Sequence, residues 1–148
     1  MLGTSANDQI FGGNAADLIF GFEGGDTLEG GAGDNLIVGG RDSGDGADRL
    51  SAGDGNDIIY GNGGDDTIAS TGVRDVMIGG YGRDTILSSS GDDVIFGNQE
   101  DDRINGGDGA NVIYAGRGNE ISNELKLVGR PPARLRQHGI FPIPPSPR

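Results

Sequence analysis

Cysteine is absent from the sequence, which excludes a disulfide framework and any thiolate metal site. Tryptophan is absent too, and no apolar run approaches the ~20 residues of a membrane-spanning helix. Neither a membrane span nor an N-terminal secretory signal peptide is expected, although export by another route stays open. The single histidine is His138, so a His-Glu-x-x-His zinc motif and a Ser-His-Asp triad are both excluded. Ser88-Ser89-Ser90 reads as a degenerate turn and not a nucleophile. The many carboxylates that a glycosidase pair would draw on are accounted for by repetition, and the chain is read as non-catalytic. Proline is missing from the first 130 residues, and positive charge is sparse: residues 1–123 carry 22 acids against six arginines. That balance disfavours nucleic acid as a partner.

What the sequence has in excess is glycine, 31 of 148 residues, and the glycines are periodic. A nine-residue phrase is cleanest at Gly79-Gly80-Tyr81-Gly82-Arg83-Asp84-Thr85-Ile86-Leu87 and at Ala52-Gly53-Asp54-Gly55-Asn56-Asp57-Ile58-Ile59-Tyr60. It recurs thirteen times from Gly3 to Asn123, interrupted by one four-residue insertion. The sixth position reads Asp8, Asp17, Asp26, Asn35, Asp48, Asp57, Asp66, Asp75, Asp84, Asp93, Asp102, Asn111 and Glu120. The eighth is aliphatic or methionine in every unit but the last, where Ser122 stands. A fixed period of this kind predicts an all-β solenoid in which each unit buries its apolar residue only against its neighbours. One column of side chains is a thin core, so something else must help to fold the chain.

Charge suggests what that is. Strands in successive layers lie ~4.8 Å apart, and stacked aspartates at that spacing repel unless cations sit between them. About eight divalent ions would neutralise residues 1–123. Glycine in the first half of each unit permits positive φ and turns carbonyl oxygens inward. The carbonyls of Gly12, Gly30, Gly33, Gly53, Gly55, Gly61, Gly64, Gly79, Gly82, Gly106 and Gly109 are the candidates. Neutral carbonyls joined by a carboxylate in a flexible turn suit a hard cation with a large, irregular shell, which favours calcium over magnesium or zinc.

A second period is twice the first. Even-numbered units carry apolar residues on both sides of the inward one: Leu18 and Phe20, Leu36 and Val38, Ile58 and Tyr60, Val76 and Ile78, Val94 and Phe96, Val112 and Tyr114. Odd-numbered units carry mostly polar residues there, among them Thr27, Thr67 and Thr85, a rank interrupted by Gln9, Arg49 and Arg103. Strand side chains alternate faces, so an eighteen-residue coil with one polar and one apolar outer sheet is expected. The apolar sheet is a candidate partner face, covered by a second copy as a homodimer, by a further domain or by the tail. The alternative is that β-branched and aromatic residues simply favour strands.

The insertion, Gly39 to Asp48, is expected to widen one turn without changing strand phase, with Asp42 and Asp45 at a solvated tip. Turns at 70–75 and 97–102, where Val73 and Glu100 replace the fourth glycine, are expected to bind poorly. The first unit opens in phase, so its strand edge has no visible cap. From Glu124 the chain turns basic and holds all six prolines, which marks residues 124–148 as a separate cap or partly disordered tail.

These residues carry a resemblance. The phrase is similar to the calcium-binding nonapeptide of the RTX, or haemolysin-type, repeat family, G-G-x-G-x-D-x-U-x. The resemblance implies a right-handed parallel β-roll with two units per coil. It also implies calcium ions between turns of successive coils and type I secretion to the cell exterior. By that pairing, one ion column uses Asp8, Asp26, Asp48, Asp66, Asp84, Asp102 and Glu120, and the other Asp17, Asn35, Asp57, Asp75, Asp93 and Asn111. It implies a non-catalytic, calcium-folded module of a secreted protein. The alternative is a calcium-dependent surface binder of ice or polysaccharide, using the threonine rank or Arg49, Arg83 and Arg103.

Overall fold

A computed structural model describes residues 1–118 and the backbone of 121–123; Glu120 and the whole of the tail from 124 lie outside the described residues. Among the described residues there are thirteen strands and no helix. The seven strands of odd-numbered units, β1 (Gln9–Gly13), β3 (Thr27–Gly31), β5 (Arg49–Ala52), β7 (Thr67–Ser70), β9 (Thr85–Ser88), β11 (Arg103–Asn105) and β13 (Ile121–Asn123), form one sheet in that order. The six of even-numbered units, β2 (Leu18–Phe22), β4 (Leu36–Gly40), β6 (Ile58–Gly63), β8 (Val76–Tyr81), β10 (Val94–Gln99) and β12 (Val112–Arg117), form the other. All pairs are parallel and the two sheets alternate along the chain, giving a β-roll of about six turns.

The register is the sequence period. Thr67 pairs with Thr85, eighteen residues on, and only across the insertion does the offset become twenty-two, as in Thr27 with Arg49. The predicted threonine rank is therefore present, with Arg49 between Thr27 and Thr67.

The strands β1 to β12 turn their eighth-position side chains inward. Ile19, Leu28, Ile37, Leu50, Ile59, Ile68, Met77, Ile86, Ile95 and Ile104 are at most 2% exposed and form the core with Ala52. Ile10 and Ile113, in the first and last described coils, pack against this core and stay half-buried. Replacing Ile59 with alanine is expected to remove ~2–5 kcal/mol of stability, because both flanking coils are fixed by their own hydrogen bonds and cannot close the void. Ile113→Ala, at a half-buried position, should lose clearly less; denaturant unfolding of the two variants checks the difference.

One expectation needs correction, at the tip of the insertion, and one contact was not foreseen, at the N-terminus, where residues 1–3 line the first strand of the six-stranded sheet while β1 remains the end strand of the other. Leu2 bridges to Phe20, the Phe20 N–H donates to Met1 O (3.0 Å), and Gly3 N–H donates to Phe20 O (2.8 Å), so the free edge of β2 is covered. In the insertion, Asp42 is exposed as expected, but Asp45 is half-buried. Its carboxylate accepts N–H groups from Gly24 in the preceding coil (2.9 Å), from Gly46 (2.8 Å) and from Arg41 (3.2 Å). Asp45 supplies the acceptor that ties the bulge to the preceding coil.

The apolar outer face stacks in register, Leu18 to Val112 in one rank and Phe20 to Tyr114 in the next. Its members shield one another: the Phe96 and Tyr114 rings stack at 4.8 Å, and most of the face is half-buried, while Leu18, Ile58, Tyr60, Val112 and Tyr114 are exposed.

Candidate metal centre

Turns of odd-numbered units lead from the six-stranded sheet into the seven-stranded one and stack along one edge of the roll. Turns of even-numbered units return along the other. The glycines in these turns serve two purposes. At the fourth position Gly24, Gly64 and Gly82 have φ of 117°, 110° and 114°, as the sequence leads one to expect. At the first position, however, glycine makes room: a Cβ on Gly21, Gly39, Gly61 or Gly79 would collide with Oδ2 of Asp26, Asp48, Asp66 or Asp84 in the same turn. The second position of odd-edge turns also takes positive φ, held by Phe22 (83°), Asn62 (74°) and Asn98 (81°), which glycine spacing alone did not disclose. Glu100 adopts φ 75° at a fourth position, so the turn expected to be defective keeps the shape of its neighbours.

The sixth-position side chain has a structural task that sequence reasoning missed. Its Oδ1 accepts the N–H of the equivalent residue one coil earlier, and this ladder is unbroken along both edges. On the odd edge it runs from Asp8 N–H to Asp26 (2.7 Å), Asp26 to Asp48 (2.7 Å), Asp48 to Asp66 (2.8 Å), Asp66 to Asp84 (2.9 Å) and Asp84 to Asp102 (2.9 Å). On the even edge it runs through Asp17, Asn35, Asp57, Asp75, Asp93 and Asn111 at 2.8–3.0 Å. An amide oxygen serves as well as a carboxylate oxygen, which is why asparagine fits the position. At the fifth position a ladder of the opposite sense appears, with Asp34, Asp65 and Asp92 accepting N–H from Asn56, Arg83 and Ala110 in the next coil. The Arg83 N–H, with its guanidinium 3.3 Å away, holds the Asp65 carboxyl below its usual range.

The second carboxylate oxygen is the one without a task inside the protein. Oδ2 of Asp26, Asp48, Asp57, Asp66, Asp75 and Asp84 is buried and receives no hydrogen bond. Burial pushes the carboxyls of Asp48 and Asp84 up to about 7 and that of Asp66 to about 8. Backbone N–H donors oppose the rise and neighbouring carboxylates, Asp45 among them for Asp48 and Asp66, add to it. Asp26, Asp57 and Asp75 are raised for the same first reason, with the Ser70 hydroxyl beside Asp75 working against it.

What faces this oxygen is shown by the two turns that carry an amide. Asn35 Nδ2 donates to Gly33 O (2.8 Å) and Gly31 O (3.4 Å), and Asn111 Nδ2 donates to Gly106 O (2.7 Å) and Gly107 O (3.4 Å). Turn carbonyls thus converge on the end of the sixth side chain. With a carboxylate in that place, oxygen faces oxygen, an arrangement that asks for a cation. Among the described residues no three acidic or imidazole side chains converge on one point, so a cation here would draw most of its ligands from the backbone. Of the glycines expected to supply carbonyls, Gly33 and Gly106 are placed for it in this way. Gly55 O instead accepts the Val73 N–H of the next coil (3.0 Å). Asp8 and Asp17, in the first coil, are half-buried where the later sixth-position residues are buried.

A stack of glycine-rich acidic turns joined by short parallel strands, with buried carboxylate oxygens facing carbonyls, defines a cation-binding β-roll repeat protein. Comparison with protein families agrees: the family described as RTX calcium-binding nonapeptide repeat (4 copies) matches residues 2–37, 20–43, 42–77, 70–99 and 87–120. The chain belongs to that family. No curated protein matches it.

Proposed function

We propose that residues 3–123 are a calcium-binding module that folds as calcium enters its turns, and that the module serves a secreted protein without catalytic activity of its own. The observation that carries this reading is the set of buried Oδ2 atoms that lack any donor while turn carbonyls face the same end of the side chain. Without an ion these carboxylates stay buried only by holding protons. With one, the negative charge is compensated where it stands. The sixth-position aspartates would be the charged ligands and the turn carbonyls the neutral ones. A shell of this composition, set in glycine turns, accommodates calcium and not the tight octahedron of magnesium. RTX repeats typically occur in secreted bacterial proteins, and calcium outside the cell is abundant enough for a module of modest affinity.

Far-UV circular dichroism of chelator-stripped protein at neutral pH, titrated with calcium, tests the reading. A transition to β signal at ~10⁻⁴–10⁻³ M calcium, absent with magnesium, is the expected result. A stripped protein that is already fully folded and unmoved by calcium removes it.

A further inference from the structure

We propose that the two edges of the roll have divided their work: the odd edge takes the calcium ions, and the even edge closes by hydrogen bonds of its own, except between Asp57 and Asp75. The inference rests on the calcium reading and goes beyond it by locating the ions.

On the odd edge, from Asp26 to Asp84, every sixth residue is aspartate and every first residue of the turn is glycine. Each Oδ2 in this run lies against that glycine and receives no hydrogen bond. At the first turn an internal donor is present, where Thr4 gives its N–H (2.6 Å) and its hydroxyl (2.9 Å) to Asp8 Oδ2.

The even edge replaces the ion by two devices, at three of its turns. Asn35 and Asn111 put an amide nitrogen among the carbonyls, and their orientation is fixed because Oδ1 of each is already taken by an N–H of the preceding coil. At Asp93 the carboxylate remains, but the first residue of its turn is Ser88, whose hydroxyl donates to Asp93 Oδ2 at 2.5 Å. Ser70 holds the same place beside Asp75; its hydroxyl is near enough to draw the Asp75 carboxyl down, but its oxygen accepts the Gly72 N–H (3.4 Å) and Asp75 Oδ2 has no partner at hydrogen-bond geometry. An ion between successive turns needs an uncompensated oxygen in both. Of the even-edge neighbours only Asp57 and Asp75 provide that pair.

Counting bound calcium by native mass spectrometry at saturating calcium tests the division. Asp93→Asn should leave the count unchanged, since Oδ1 keeps its ladder bond and Ser88 has been doing the work of an ion. Asp66→Asn should lower it by at least one. Asn35→Asp should raise it by one, because a second uncompensated oxygen then faces Asp57; a gain of this kind cannot arise from failure to fold. Loss of as many ions from Asp93→Asn as from Asp66→Asn, or no gain from Asn35→Asp, overturns the division while leaving calcium binding intact. A wild-type chain that takes up no calcium overturns both.

Discussion

Chelator-stripped protein is expected to become more stable as the pH is lowered from 8 toward 5, the reverse of ordinary acid unfolding. Asp48 and Asp84 titrate at about 7 and Asp66 at about 8 in the folded roll, against about 3.9 in an unfolded chain. Between those values the folded state binds more protons than the unfolded one, so stability falls as pH rises. The contribution is whole below the unfolded pKa and is lost as the pH passes through 7 to 8. A proton on each buried carboxyl would do in acid what the proposed calcium ion does at neutral pH. The same protons compete with the ion. Below pH 7 the calcium affinity of the odd edge should therefore drop about tenfold per pH unit for each carboxyl that must ionise. Thermal melts in chelator from pH 5 to 8, with calcium titrations at each pH, measure both. A stripped protein whose stability climbs steadily with pH would show that these carboxylates are not held as the fold places them.

The largest loss from one substitution is expected at the fourth-position glycines. Gly82 has φ 114°, and a Cβ there would fall on the Gly64 carbonyl oxygen of the preceding coil. Gly82→Val should remove more than ~3 kcal/mol: ~1–2 from forcing a branched residue into left-handed backbone, the rest from prising two coils apart. The clash is with backbone on a fixed interlayer spacing, so no rotamer relieves it. Gly13 is the control. Its φ is 145°, so alanine there carries ~1–3 kcal/mol of backbone strain, but nothing lies within 4 Å of a Cβ built on it, and Gly13→Ala should lose clearly less than Gly82→Val. Equal losses from the two, in calcium-loaded protein unfolded by denaturant, would refute the steric account.

The architecture was legible in the sequence because it is written thirteen times. Positions six and eight fix strand phase, and the coil follows from the alternation of polar and apolar outer residues such as Thr67 and Val76. What stayed hidden lies between coils, where sequence spacing is silent. The same Asp66 that the sequence offers as a candidate metal ligand also accepts the Asp48 N–H, and only the second oxygen is left over. Glycine at the first position was read as conformational freedom when Gly61 in fact clears space for Asp66. Ser88 looked like decay of the motif; in the fold its hydroxyl reaches Asp93. Asp45 looked like loop tip because the insertion breaks the period that gives every other residue its neighbour.

The pairing of every strand with the strands one coil away has a kinetic side. Bringing Thr67 to Thr85 closes a loop of eighteen residues, and so does each other step except the two that span the insertion, at twenty-two. The entropy of loop closure grows with loop size, not with chain length. Contact order therefore falls as coils are added, and an array twice as long would meet the same barrier at every coil.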